Sequence, residues 1–213
     1  MQDINAVKKG VFVCADGSKY SEAVCDYGVH IAKELGLTLV LLNAIEHTHI
    51  SSKSDLSGSI GLGEREALLD ELSDEDAKES KKLINDGKDI LKKLKEKVLK
   101  SGFRDVIISQ RHGSLYENLK ELEGKMRVVL FGVSVVDKSS DTAKIGSQLE
   151  DIIRDVNAPI ILVNKEYSPI KNVMIAFNGE SGSTKALEEV SSSPMLGSDI
   201  KRFVVNINNT PSY

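Results

Sequence analysis

Apolar positions along the chain fall into two rhythms. Continuous, β-branched-rich runs at 10–15 (GVFVCA), 37–45 (LTLVLLNAI), 105–109 (DVIIS), 127–132 (RVVLFG) and 160–163 (IILV) read as buried strands. Between the first two runs, Tyr20, Val24, Tyr27, Ile31 and Leu35 recur at helical spacing, and Gly36 follows as a C-terminal cap. Residues 64–72 carry a short helical pattern. A stronger helix is expected over 76–101, with Leu83, Gly87, Ile90, Leu91, Leu94 and Val98 on one face and Gly102 ending it. Ser114 and Glu117 make a capping box ahead of LYENLKELEG. A further helix is expected over 147–157, with Gly146 and Ser147 at its entrance, and Pro159 introduces the last strand. Residues 46–63 hold Ser, Gly and His without a period and read as a long loop.

Strand and helix alternate, and the strand runs are continuously apolar. Both features call for parallel pairing with helices on both faces. The predicted fold class is α/β, a doubly wound five-stranded parallel sheet. The pattern then restarts. NVMIAFNGESGSTKALEEV (172–190) lies over GVFVCADGSKYSEAVCDYG (10–28), so that Val173 matches Val11, Ala176 matches Cys14, Asn178 matches Asp16 and Gly179 matches Gly17. RFVVNIN (202–208) matches LVLLNAI (39–45). The expected organisation is a complete domain over 1–166 and a partial β-α-β repeat over 167–213. Three elements are too few to bury a core alone, so the second part must lean on the first or on another chain.

Composition narrows the function classes. Of the 213 residues, 40% are hydrophobic, enough for a core; 28% are charged, mixed in sign, with a formal net charge of -4 and no long basic run, which argues against a nucleic-acid partner. No apolar run approaches the roughly 18 residues of a membrane span. The first residues, MQDINAVKKG, carry an early acid and no apolar h-region, unlike a signal peptide. Cys14 and Cys25 have no metal-ligand spacing and read as small buried apolar side chains in a reduced, cytoplasmic setting.

Candidate chemistry gathers at the strand ends. Asp16 closes the first strand at its carboxyl edge, where ligands bind in open α/β sheets; an Asp-Gly turn is the alternative role. Gly146-Ser147 at a helix entrance would offer free N–H groups to a phosphate, yet Ser147 with Glu150 also reads as a capping box. His47, His49 and His112 are too scattered to define a metal site. Cys25, Asp26 and His30 share a helix without a common face, so they make no triad. With no activated nucleophile and no paired acid and base, no catalytic residue is assigned.

Taken together, these stretches resemble the universal stress protein family in its tandem form. The likeness is carried by ADGS ahead of YSEAVCDYG, by LVLLNAIEH, and by GVSVVDKSSDTAKIGSQLEDIIRDVNAPIILV; DLSGSIGLGEREALLDEL resembles the insert of tandem members. It covers 8–165, and 170–210 as a half repeat. The resemblance implies an adenine-nucleotide-hydrolase-like sheet that packs as a homodimer or pseudo-dimer through the fifth strand. In nucleotide-binding members it implies ATP with Mg2+. Carried over residue by residue, Asp16 lies near the ribose and metal, Ala44 near adenine, and Gly132, Gly146 and Ser147 at the phosphates. The Gly-x-x-Gly of binders is broken here, because its second glycine falls on Val135, and Val133-Ser134 stands where tandem members often carry a basic pair. The implied function is a cytoplasmic stress-response module that senses adenine nucleotide. The alternatives are a non-binding scaffold, its crevice filled by Val133 and Val135, that meets protein partners through the fifth strand and half repeat, and, more distantly, a slow ATPase.

Overall fold

The computed structural model describes residues 4–46, 62–133 and 143–206, with side chains in the helices that open the last two segments described from Lys78 and Leu149 onward. The elements run β1 (Gly10–Cys14), α1 (Ser21–Leu35), β2 (Thr38–Ile45), α2 (Leu62–Lys100), β3 (Val106–His112), α3 (Leu115–Leu122), β4 (Met126–Gly132), α4 (Ala143–Asp155) and β5 (Ile160–Val163). These five strands form one sheet in the order β3-β2-β1-β4-β5, and every pairing is parallel.

Strand alternation sorts the core into two layers. Val11, Val13, Leu39, Leu41, Val128 and Leu130 face α1 and α2, where they meet Val24, Ile31, Leu91, Leu94 and Val98. Phe12, Val40, Leu42, Val129 and Phe131 face the other way, against Leu119 of α3 and Ile152 of α4. Both faces of the inner strands are therefore dry, which is why their sequences are unbroken apolar runs. The seat of α1 on β1 is close: a Cβ at Gly28 would collide with Val13 Cγ2.

Local signals behave as their chemistry predicts. Gly36 adopts φ 60° at the end of α1, and its N–H reaches the carbonyls of Ala32 and Lys33. Ser114 caps α3, and both arms of the capping box with Glu117 form. Four expectations change. The helices at 64–72 and 76–101 are one helix of 39 residues, since no Gly or Pro between them breaks it. Leu83 is 39% exposed; Ile84 rather than Leu83 turns inward, beside buried Gly87. Polar Gln110, Arg111 and His112 prolong β3 beyond 109 by pairing with Asn43, Ala44 and Ile45. Finally, α4 starts at Ala143, because the helix-favouring stretch Ala143-Lys144-Ile145 propagates through Gly146. Gly146 and Ser147 thus lie inside the helix rather than at its entrance, and the helix stops at Asp155, before Pro159. The loop over 46–63 falls almost wholly outside the described residues.

Beyond β5 the chain forms β6 (Asn172–Phe177), α5 (Ser181–Ser192) and β7 (Lys201–Asn206), with β6 and β7 paired in parallel as a separate two-stranded sheet. The expected boundary at 166/167 falls in the connector between β5 and β6. Arg127 of β4 pairs with Glu189 of α5 and donates to the Ser193 hydroxyl. Tyr167 meets Tyr27 edge-on with ring centroids 4.9 Å apart, and Met195 is buried in the α1–α2 core layer. Little of the small sheet is covered: Met174 is 73% exposed and Phe203 52%.

Candidate functional site

The strand order reverses between β1 and β4, since one crossover leads outward to β2 and β3 and the other to β5. Diverging crossovers leave a crevice beyond the carboxyl ends of the strands at that point. A cleft of about 200 Å3 opens there. Cys14, Ala15 and Asp16 from the end of β1, and Leu42, Asn43 and Ala44 from β2, form one side. Phe131 of β4, Leu115 of α3, and Leu149 and Ile152 of α4 form an apolar wall, and Glu46 stands at the mouth.

The rim is organised by Asp16. Its Oδ1 accepts from the Ser18 N–H at 2.9 Å and from the Ser21 hydroxyl at 2.9 Å. Gly17, at φ 77°, supplies the left-handed step that turns the chain into α1. Both bonds end on one carboxylate oxygen of an exposed side chain, so the turn leaves the other oxygen outside it. The last carbonyl before Asp16, that of Ala15, accepts from buried Asn43 Nδ2 at 2.7 Å.

Of the predicted site residues, Asp16 and Ala44 line the cleft together. Gly132 lies just behind Phe131 with a packing reason of its own: a Cβ there would stand 3.0 Å from Tyr20 Cβ and 3.4 Å from Ser18 Oγ. Gly146 and Ser147 sit one turn ahead of cleft-lining Leu149 and Ile152 on α4. Val135 lies outside the described residues. Val133 is half-buried, and its N–H donates to the Val163 carbonyl at 2.9 Å, which carries the β4–β5 ladder one step past Gly132. Asn43, Glu46, Leu149 and Ile152 were missed by sequence reasoning. Asn43 had a readable signal, a lone amide inside an apolar strand.

Other candidates separate from the site. Burial, reinforced by Asp16, pushes the Cys14 thiol well above its ordinary range; burial and then Asp26 push Cys25 up to about 12. Both are buried and free, as inert core thiols should be. Asp26 binds Lys97 at 2.8 Å, while His30 Nε2 lies 3.4 Å from the Leu196 carbonyl, so Cys25, Asp26 and His30 serve different contacts. His47 and His49 lie outside the described residues.

The cleft can take a flat apolar group in its interior and a hydroxyl or cation at Asp16. Among the described residues its lining contains two carboxylates, Asp16 and Glu46, and no Lys or Arg. A polyanion seated there would need a counter-cation or backbone N–H donors.

A family model described as the universal stress protein family matches residues 9–164, from the start of β1 to the end of β5. The chain belongs to the universal stress protein family. Universal stress protein Slr1230 of Synechocystis sp. is 28% identical over 209 residues, which span 95% of this chain and 71% of that protein. Among solved structures, hypothetical protein MJ0577 superposes with a TM-score of 0.50 at 19% identity, covering 76% of this chain and all of that one. A universal stress protein from Archaeoglobus fulgidus in complex with dAMP has a TM-score of 0.48 at 13% identity, covering 74% of this chain and 99% of its own. The five-stranded parallel sheet is thus the universal stress fold. Among the described residues, no helix is long and apolar enough to cross a membrane.

Proposed function

We propose that this universal stress protein is a stress-response module that binds an adenine nucleotide, ATP with Mg2+, in the cleft at the β1/β4 reversal. The observation that carries the reading is the cleft itself: an apolar slot with an exposed carboxylate, Asp16, at the rim. A purine fits the slot walled by Phe131, Leu149 and Ile152, with Ala44 beside it. The Asp16 oxygen left out of the turn suits a ribose hydroxyl or the metal. Mg2+ supplies the positive charge that offsets Asp16 and Glu46 beside the phosphates. The family resemblance assigns Gly132, Gly146 and Ser147 to the phosphates.

The test is a thermal shift of the purified protein with ATP, with and without Mg2+, beside a Val135→Gly variant. At 100 times its dissociation constant a ligand stabilises the native state by about 2.7 kcal/mol. A magnesium-dependent shift in the wild type is expected. No shift in the wild type with a shift in Val135→Gly means a blocked site. No shift in either sinks the nucleotide reading. The scaffold reading then gains, and the ladder bond from Val133 to Val163 is the observation that favours it. A slow ATPase would further require phosphate release that disappears in Asp16→Ala.

The β5 edge is the surface we assign to self-association. It is the last strand of the sheet and presents Leu162, 44% exposed. The proposed cytoplasmic homodimer should become monomeric by light scattering in Leu162→Glu; an unchanged mass removes this surface from consideration.

A further inference from the structure

The long helix α2 touches the cleft rim at two points, one polar and one apolar. The first is Gly87. A Cβ at this position would collide with Asn43 Oδ1 and Gln110 Nε2. Glycine weakens a helix interior, so its presence here goes with the close seat and not with helix formation. Gln110 Nε2 donates to the Ile84 carbonyl of α2 at 3.0 Å and to Asn43 Oδ1 at 3.3 Å. Asn43 Nδ2 then donates to the Ala15 carbonyl at 2.7 Å. The second contact is Ile90, whose Cδ1 would stand 2.7 Å from a Cβ on Gly17, the residue after Asp16.

The four groups make a continuous chain: the Ile84 carbonyl of the helix, the Gln110 amide, the Asn43 amide and the Ala15 carbonyl just past β1. Only one orientation of each amide serves it, because Ile84 and Ala15 both present acceptors and the middle contact needs one donor and one acceptor. Among the described residues no buried side-chain polar atom lacks a partner. Moving one member therefore strands another, and at buried Asn43 an unpaired amide is costly. The chain responds as a unit.

We propose that Gly87, Gln110 and Asn43 form a polar relay through which the seating of α2 sets the geometry of Ala15–Asp16, making them positioning residues for the cleft's ligand. The inference rests on the cleft being a nucleotide site. It extends that reading by naming what holds the rim in shape and which helix feels the ligand. Coupling of this kind is reciprocal: a ligand that moves the rim also tightens or loosens α2.

The experiment compares Gly87→Ala and Gln110→Leu with Gly124→Ala, whose new Cβ would enter open space. Two readouts are taken on the full chain: backbone amide shifts and exchange for Ala15–Ser18 without ligand, and ATP–Mg2+ affinity. The relay predicts displaced Ala15–Gly17 amides and faster exchange of the Ser18 N–H in both variants. It also predicts affinity weaker by about tenfold, the equivalent of roughly 1.4 kcal/mol. Gly124→Ala should match the wild type. Variants that melt earlier yet keep wild-type amides at 15–18 and wild-type affinity overturn the relay. If Gly87→Ala does not fold, Gln110→Leu, which removes the donors but adds no Cβ, decides alone. If the wild type binds no ATP, the nucleotide reading fails while the ligand-free amides still decide the relay.

Discussion

Asp16 and Asn178 hold the same turn. The Asp16 Oδ1 accepts from the N–H two residues on, Ser18, and from the hydroxyl five residues on, Ser21. The Asn178 Oδ1 accepts from the N–H of Glu180 at 3.1 Å and from the hydroxyl of Ser183 at 2.7 Å, at the same two offsets. The glycine after each has φ near 80°, 77° for Gly17 and 82° for Gly179. An amide oxygen does the turn's work as well as a carboxylate does, so the charge on Asp16 is not needed for the turn.

That relationship separates structure from ligand binding at one position. Asp16→Asn should keep the turn and change stability by no more than about 0.5 kcal/mol. Asp16→Ala should lose about 1 kcal/mol, as removal of a comparable capping acceptor does. Thermal melts read both values. Under the nucleotide reading, magnesium-dependent ATP binding drops in both variants. ATP binding at full strength in Asp16→Asn would remove the carboxylate from the site.

Gly28 is the second position with a sharp expectation. Because its absent Cβ lets α1 rest on Val13, Gly28→Ala must push the helix off β1 or force Val13 aside. Overpacking of this kind costs about 1–3 kcal/mol, measurable by urea unfolding. A neutral result would mean that α1 slides freely on the sheet.

Lys97 of α2 binds Glu22 at 3.0 Å and Asp26 at 2.8 Å on α1. Partial burial works against its charge, but the hydrogen bonds to Asp26 and Glu22 win and raise its amine above the ordinary lysine value. A group raised on folding contributes stability that is fully present below its unfolded value and is lost as pH rises through the folded one. Melts of wild type and Lys97→Met should therefore differ at neutral pH and converge on going to strongly alkaline pH. A constant gap would show that Lys97 acts through its aliphatic stem.

The small sheet should be the least protected part of the described chain. Two strands with Met174 and Phe203 largely exposed bury too little to resist opening. Hydrogen exchange should be faster in β6 and β7 than in β1 and β2, and Arg127→Ala should speed it further by releasing Glu189 and Ser193. Equal protection across both sheets in a monomer would contradict this.

The parallel sheet, its five strands and most helix limits were legible from local chemistry alone. Unbroken apolar runs require burial on both faces. Gly36 and the Ser114–Glu117 box act within one turn of their own residues. Asp16 was legible for a related reason, since it closes a strand and parallel strands bring their carboxyl ends together; Ala44 followed only from the family resemblance. The cap signal at Gly146-Ser147 was overridden locally, by helix propagation from Ala143. Tertiary structure decided the rest. It fused two helical patterns into α2 and drew Gln110 into β3 by pairing with Asn43. It also brought Gly87 against Asn43 and Gln110. No local pattern announces that contact, because hydrogen bonds among residues 43, 84 and 110 exist only after the chain between them has folded back onto the sheet.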